Sequence, residues 1–266
     1  MNIVVLLKQV PDMEKVKFDS ERGVVDRKSA GTEINPFDLN ALEAAVQISE
    51  KLQSQVISMT MGPPSAEEAL KESIARGAND GILLTDRAFG GADTKATAVT
   101  LANAVKKLSS YDLIICGEKS VDGDTGQVGA EVAEFLDIPH VYYVDEVRKI
   151  EEDYITVVSN ICGGRYIKRV KFPALISVTK DINTPRLPSL RNKMMARKAE
   201  IKKWSIDDLK EYLNPEEVGL KGSPTRVKRI EVPPEIKRQG KVCRNNISSF
   251  VDEIFKALKE NKILEG

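Results

Sequence analysis

Apolar residues in this chain form short continuous runs, separated by stretches in which they recur with a helical period. The run Ile3–Leu7 predicts a first strand. Phe37–Leu52 (FDLNALEAAVQISEKL) predicts a helix. Gln55–Met61 (QVISMTM) predicts a strand ending at Gly62-Pro63-Pro64, and Ser65–Arg76 the next helix. Gly81–Thr85 is strand-like. Thr94–Leu108 puts Val99, Leu101, Ala102, Val105 and Leu108 on one stripe and predicts a helix. Leu113–Cys116 is a run of buried-strand type, and an amphipathic helix follows from near Thr125 or Gly126 to Leu136. Strands alternating with helices imply right-handed crossovers and a parallel sheet. The fold class is therefore α/β, a doubly wound and mostly parallel sheet, whose ligands sit beyond the carboxyl ends of the strands.

After Pro139 the texture changes. Val141–Val147, Tyr154–Ser159 and Tyr166–Phe172 are rich in Val, Ile and Tyr and predict extended or hairpin strands. Pro173–Thr179 predicts another buried strand. The prolines and asparagines of 182–203 argue against regular structure in its first half. From Pro185 to Lys203 this stretch carries seven basic residues and one acid, Glu200. It fits a solvated loop, or a docking segment with Leu187, Leu190, Met194 and Met195 as apolar anchors in a basic rim. Residues 205–266 look like an extension broken by Pro215, Pro224, Pro233 and Pro234. Only Ile247–Leu258 predicts a helix there, with Phe250, Ile254, Phe255 and Leu258 on one face. Such a tail is expected to bury little against its own domain and to wrap a neighbouring chain.

Composition narrows the function classes. The chain has 266 residues, 41% of them hydrophobic, with 40 basic against 40 acidic. That balance does not point to nucleic acid. Cys116, Cys162 and Cys243 form no CxxC pair and no metal spacing, which favours a reducing, cytoplasmic setting and no metal. MNIVVLL is too short for a signal core, and no segment approaches the ~20 apolar residues of a membrane span. The sole histidine, His140, has no nucleophile motif beside it and is expected to be a surface or core residue, so no catalytic acid, base or nucleophile is assigned.

Residues 111–136 (YDLIICGEKSVDGDTGQVGAEVAEFL) carry the candidate chemistry. Gly123, Gly126 and Gly129 let backbone N–H groups approach a ligand, and the helix start suits a phosphate. Neither a Walker A motif nor GxGxxG is present. Taken alone, the segment fits both a nucleotide cradle and a plain strand–helix connection.

The runs KQVPD (8–12), NPFDLNALEAA (35–45), RGAND (76–80), VDGDTGQVGAEVAEFL (121–136) and INTPRLPSL (182–190) occur in the order and spacing of electron-transfer flavoprotein beta subunits. The chain resembles that family over essentially its whole length. The resemblance implies an adenine nucleotide alpha hydrolase-like nucleotide-binding domain over 1–184 and a partner-recognition loop over 185–204. It also implies that 205–266 is an arm that clasps an alpha subunit holding its own FAD. It implies nucleotide contacts at Leu6, at Asn35, Pro36, Phe37 and Asp38, and at Met61. The phosphates are expected on Asp122, Gly123, Asp124, Thr125, Gly126, Gln127, Val128 and Gly129. Asp122 and Asp124 would repel phosphate, so they are expected to bond backbone, ribose or water.

The nucleotide itself is the open question. Simple members of the family hold AMP as a structural ligand. GGADTKATA (90–98) and the short DGDTGQ loop instead resemble electron-bifurcating members, which hold a second FAD in the beta subunit. Asp93, Thr94, Ala96 and Thr97 are then expected beside the flavin and NADH, although Asp or Thr at such a position also serves as a plain helix cap. The resemblance implies hydride transfer from NADH to the beta-subunit flavin. Electrons then divide between ferredoxin or flavodoxin and, through the alpha-subunit FAD, an acyl-CoA dehydrogenase-like partner. The partner is expected on Pro185, Arg186, Leu187, Leu190, Arg191 and Met194. The other class considered, an ATP-binding or ATP-hydrolysing α/β module, fits less well. Its phosphate loop should directly follow the first strand, where KQVPD stands instead.

Overall fold

The structure is a computed structural model describing residues 1–12, 17–19, 24–26, 31–228, 240, 242, 244 and 246–264. Cys243, Pro233 and Pro234 lie outside the described residues. The chain forms two units, Met1–Ile230 and Glu231–Gly266.

The first unit opens with β1 (Asn2–Leu6) and the short strands β2 (Gln9–Pro11), β3 (Lys17–Asp19), β4 (Val24–Asp26) and β5 (Thr32–Ile34). Helix α1 (Pro36–Leu52) follows, then β6 (Gln55–Met61), α2 (Glu67–Arg76), β7 (Asp80–Leu84), α3 (Thr94–Lys106), β8 (Leu113–Gly117) and α4 (Val128–Leu136). The antiparallel part is β9 (His140–Ile150), β10 (Tyr154–Ile161) and β11 (Gly164–Lys171), followed by the buried strand β12 (Ala174–Val178). Then come α5 (Leu190–Ala196), β13 (Lys202–Trp204), α6 (Ile206–Leu209) and α7 (Gly219–Gly222). The second unit holds α8 (Ile247–Glu260), with Ile247, Val251, Ile254 and Phe255 exposed along it.

Among the described residues the main sheet has nine strands in the order β11-β10-β9-β12-β8-β1-β6-β7-β13. From β9 to β13 neighbouring strands are parallel, and β10 and β11 join antiparallel. Alternation along β1 sends its residues to two cores. Ile3 and Val5 pack with Ala41, Leu42 and Ala45 of α1 and with Leu113 and Ile115. Val4 and Leu6 pack on the other face with Met59, Ile82, Ala98, Leu101, Val105 and Val132, under α3 and α4. Helices thus cover both faces, and the doubly wound expectation holds.

Two parts of the chain differ from expectation. Lys202–Trp204 pairs with Ile82–Leu84 and extends the sheet by one edge strand. Its KKW sequence has no apolar run to announce it. Leu209, Leu213 and Val218 are buried in the core against α3, so 205–228 packs on the first unit and is not loose extension. Their apolar side chains are spaced too irregularly to register as a helix. The stretch 182–189 has no regular element, as expected, and α5 starts after it with Ser189 Oγ accepting from Asn192 N at 3.1 Å.

One residue ties the middle of the sheet together. Asp38, in the first turn of α1, accepts from Lys8 N at 2.8 Å and from Gly117 N at 3.0 Å. These two N–H groups stand at the ends of neighbouring strands β1 and β8, and Asp38 is buried. Burial pushes its carboxyl up to about 7 against the pull of hydrogen bonds from Asn35, Lys8 and Gly117. Packing here is close: a Cβ on Gly117 would lie 2.6 Å from Asp38 Oδ1 and 2.6 Å from Phe37 Cβ.

Two outcomes follow from this joint. The folded carboxyl of Asp38 titrates near 7 rather than at its ordinary 3.8. Its contribution to stability is therefore complete below the unfolded value and is lost as pH rises through the folded one. Asp38→Asn does not titrate. The wild type's lead over it in urea midpoint should shrink between about pH 4 and about pH 7; a constant difference rejects the assignment. Gly117→Ala should destabilise by about 1–3 kcal/mol through overpacking, read as a lower urea midpoint at unchanged slope.

Candidate nucleotide site

The order of the strands locates the site. From β1 the chain moves outward through β6 to β7, then crosses back over α3 to β8 on the other side of β1. The winding direction reverses between β1 and β8. In open α/β sheets the crevice at such a reversal, beyond the carboxyl ends of the strands, takes the ligand. Asp38 closes the floor of that crevice, and the loop after β8 forms its wall.

Asn35 holds the wall in place. It is buried; its Nδ2 donates to Lys119 O at 2.8 Å, and its Oδ1 accepts from Val121 N at 3.2 Å. Asn35 N in turn donates to Lys8 O at 2.9 Å. The three segments 7–8, 35–38 and 117–121 are thus bonded into one frame. Pro36 is exposed at the helix start and Phe37 is half-buried, with Lys119 Nζ 5.8 Å from its ring centre. Leu6 is buried in the core under the crevice, and Met61, half-buried, ends β6 beside it.

The 122–129 loop has the features of an anion cradle. Asp124 and Gly126 both have left-handed backbone angles, φ 54° and 63°. At Gly126 an added Cβ would also approach Glu118 O to 3.2 Å, so the backbone angle and the tight space both favour glycine. Tyr142 of β9 donates its hydroxyl to Gly126 O, and Ser159 Oγ donates to Tyr142 O at 2.5 Å. The Tyr142 hydroxyl is pushed up to about 12, chiefly by burial, and stays protonated as a donor. Among the described residues, no carbonyl or side chain accepts from the N–H groups of Gly126, Gln127 and Val128. They stand at the positive end of α4, an arrangement that fits a phosphate.

The acidic residues of the loop are neutralised by neighbouring lysines. Asp122 pairs with Lys8 at 2.8 Å and Asp124 with Lys119 at 2.7 Å. Burial disfavours the charge on Asp122, but the Lys8 pair prevails and holds the carboxyl below its ordinary range. Gly123, Asp124, Thr125 and Gln127 are exposed, while Gly129 is buried so tightly that a Cβ would lie 2.8 Å from Cys116 Sγ.

The segment 90–97 reaches the same edge. Thr94 Oγ1 lies 3.3 Å from Gln127 Oε1 and 3.1 Å from Glu131 Oε1. Asp93 caps α3: its Oδ1 accepts from Ala96 N at 3.1 Å. Its Oδ2 accepts from Thr225 N at 2.9 Å and Thr225 Oγ1 at 2.8 Å, and its own N donates to Ser223 Oγ at 2.8 Å. Both Asp93 oxygens are therefore engaged. Ala96 is buried and Thr97 half-buried. The fold thus brings Leu6, residues 35–38, Met61, Asp93, Thr94, Ala96, Thr97 and residues 122–129 to one edge of the sheet, with Lys8 among them.

The expected partner residues lie apart from that edge and divide in two. Arg186 is fastened to α1, bonding Glu43 Oε2 at 2.8 Å and Glu50 Oε1 at 2.5 Å, and its carbonyl accepts from Arg76 Nη1 at 2.7 Å. Burial works against the Glu43 charge, but the Arg186 hydrogen bonds outweigh it and keep that carboxyl low. Leu187, Leu190, Arg191 and Met194 are exposed, and Pro185 is half-buried.

Sequence reasoning missed Lys8, Lys119, Glu131, Tyr142, Ser223 and Thr225. Lys8 had a signal, since it follows the first strand directly. Lys119 pairs with Asp124 in its own loop, while the remaining four act across sequence separations that no local pattern marks. Among the described residues there is no cluster of three or more potential metal ligands and no helix long and apolar enough to cross a membrane.

The electron transfer flavoprotein domain matches residues 22–209. The electron transfer flavoprotein subunit beta of Thermoanaerobacterium thermosaccharolyticum is 43% identical over 265 residues, covering 99% of this chain and 100% of the relative. The caffeyl-CoA reductase-Etf complex subunit CarD of Acetobacterium woodii is 40% identical, with 99% and 100% covered. The acryloyl-CoA reductase electron transfer subunit gamma of Anaerotignum propionicum is 35% identical over 269 residues, again with 99% and 100% covered. A match across the sheet, its crevice and both of its loops leaves one conclusion: the chain belongs to the electron transfer flavoprotein family, as a beta subunit.

Proposed function

We propose that this chain is the beta subunit of an electron-bifurcating electron transfer flavoprotein and holds an FAD of its own, with NADH as donor. The observation that carries this reading is the meeting of Thr94 with Gln127 and Glu131. It sets the 90–97 segment against the loop proposed to hold the phosphates. In this reading the frame of Asn35 and Asp38 and the N–H groups after Thr125 hold the adenosine phosphate end. Leu6, Met61 and the 93–97 turn border the remainder. Bound flavin supplies the redox chemistry, taking up a hydride and releasing electrons singly. The chain's residues bind, orient and neutralise, and none is proposed as acid or base.

The partners proposed are an alpha subunit with a second FAD, ferredoxin or flavodoxin, and an acyl-CoA dehydrogenase-like enzyme. The names of the Acetobacterium and Anaerotignum relatives, which mention CoA-ester reductases, support the last. Residues 185–204 are proposed as its docking loop, and the exposed apolar stripe of α8 as a surface for the alpha subunit.

One observation favours a second reading, a simple carrier with structural AMP. Asp93 is fully engaged as a cap and a tie to Thr225, as expected of a plain helix start. The count of cofactors separates the two. The purified heterodimer should contain two FAD; one FAD and one AMP, unchanged by excess FAD, rejects bifurcation.

The docking loop makes its own prediction. Leu187 and Leu190 are 87% and 76% exposed and fill no core, so truncating them spares the fold. Leu190→Ala should weaken binding of the dehydrogenase partner by about 2 kcal/mol while flavin content and NADH-driven reduction of the heterodimer stay normal. Titration of the partner at two salt concentrations measures this, and unchanged affinity in both Leu187→Ala and Leu190→Ala removes the loop from the interface.

A further inference from the structure

Glu131 stands in the first turn of α4, one turn beyond Gln127. Its Oε1 accepts from Thr94 Oγ1, but its Oε2 is enclosed and has no hydrogen-bond partner among the described residues. Leaving a buried polar atom unpaired is costly, so each case calls for a cause. The other such atoms are the hydroxyls of Ser54, Ser58, Thr60 and Ser177 and the Nε2 of His140. Glu131 is the only carboxyl among them, and it alone sits at the crevice between the 93–97 turn and the phosphate loop.

The local balance of donors and acceptors points the same way. Thr94 has one hydroxyl hydrogen and faces two acceptors, Gln127 Oε1 and Glu131 Oε1. Glu131 Oε2 adds a third acceptor, and in the seam's bonds to these oxygens only the Thr94 hydroxyl donates. A ligand that brings donors completes it. Burial, with the nearby Asp93 charge, raises the Glu131 carboxyl above its ordinary range. A ligand hydroxyl, which both donates and accepts, matches that carboxyl with or without its proton. An N–H donor matches only the ionised form.

We propose that Glu131 is a specificity contact for a hydroxyl-bearing part of the bound nucleotide beyond its adenosine phosphate, with Thr94 and Gln127 aligning its carboxyl. The inference rests on the two-flavin reading, since AMP has no such part. The same chemistry is present in the ribityl chain of FAD and in the nicotinamide ribose of NADH.

The test uses the heterodimer stripped of nucleotide from this subunit. FAD and AMP are titrated separately by calorimetry into wild type, Glu131→Met and Glu131→Gln, and NADH into the FAD-loaded forms. Glu131→Met keeps the length and removes both oxygens. It should weaken FAD about tenfold, equivalent to about 1.4 kcal/mol, and leave AMP within about twofold. Glu131→Gln trades one acceptor for a donor and should lose about threefold for FAD; it decides the matter if the Met variant fails to assemble. Unchanged FAD with weakened NADH assigns the contact to the nicotinamide ribose and upholds the proposal. Unchanged affinity for both, or an equal fall for AMP and FAD, overturns it. A wild type that takes up no FAD in this subunit overturns the two-flavin reading and this contact together.

Discussion

A buried carboxylate holds the architecture of the crevice together. Asp38 sits under the point where the winding of the sheet reverses and accepts from the N–H of Gly117, the last residue of β8, and from that of Lys8, just past β1. Without Asp38 these two donors would be orphaned in a dry place. The helix that carries Asp38 begins at Pro36, whose fixed φ suits the first helical position. Asn35, just before it, bonds the loop after β8 at two places. A run of four residues, NPFD, thereby sets the floor of the crevice, the entry of a helix and the path of the opposing loop. The absence of a side chain at Gly117 is the matching condition, because the strand end and the helix start are in direct contact.

Much of this was legible in the sequence. The apolar runs and helical stripes gave the parallel sheet nearly element by element, because strands buried on both faces must be continuously apolar. β13 escaped because an edge strand of three residues needs little apolar character. Leu209, Leu213 and Val218 escaped because they are buried singly, under a helix contributed by a distant segment. The crevice followed from glycines and short motifs, whereas its electrostatics did not. Local sequence predicts repulsion between Asp122, Asp124 and a phosphate. It is resolved by Lys8, 114 residues away, and by Lys119 in the same loop.

Asp93 shows the same limit from the other side. Sequence offered a cap or a ligand contact, and the geometry engages both of its oxygens in capping and in tying down residue 225. Thr94, one position on, faces the crevice instead. Arg186 likewise looks like a surface cation in sequence but serves as a brace between the 185–190 stretch and α1. A basic residue in a loop gives no local sign of the acids it will meet from a helix far earlier in the chain.

The order of the sheet also has a consequence for how the chain is made. β1 is translated before β6 and β8 but ends in the middle, between them. Its β6 edge is covered early, whereas the other edge must wait for a strand that begins 110 residues later, where Asp112 accepts from Asn2 N. During synthesis at about 5–20 residues per second, that edge of the nascent sheet stays open for several seconds. Closing so distant a pair carries a loop-entropy penalty and slows folding. The joint at Asp38 can form only after β8 emerges, so a chain truncated before Gly117 lacks both that edge of β1 and the floor of the crevice.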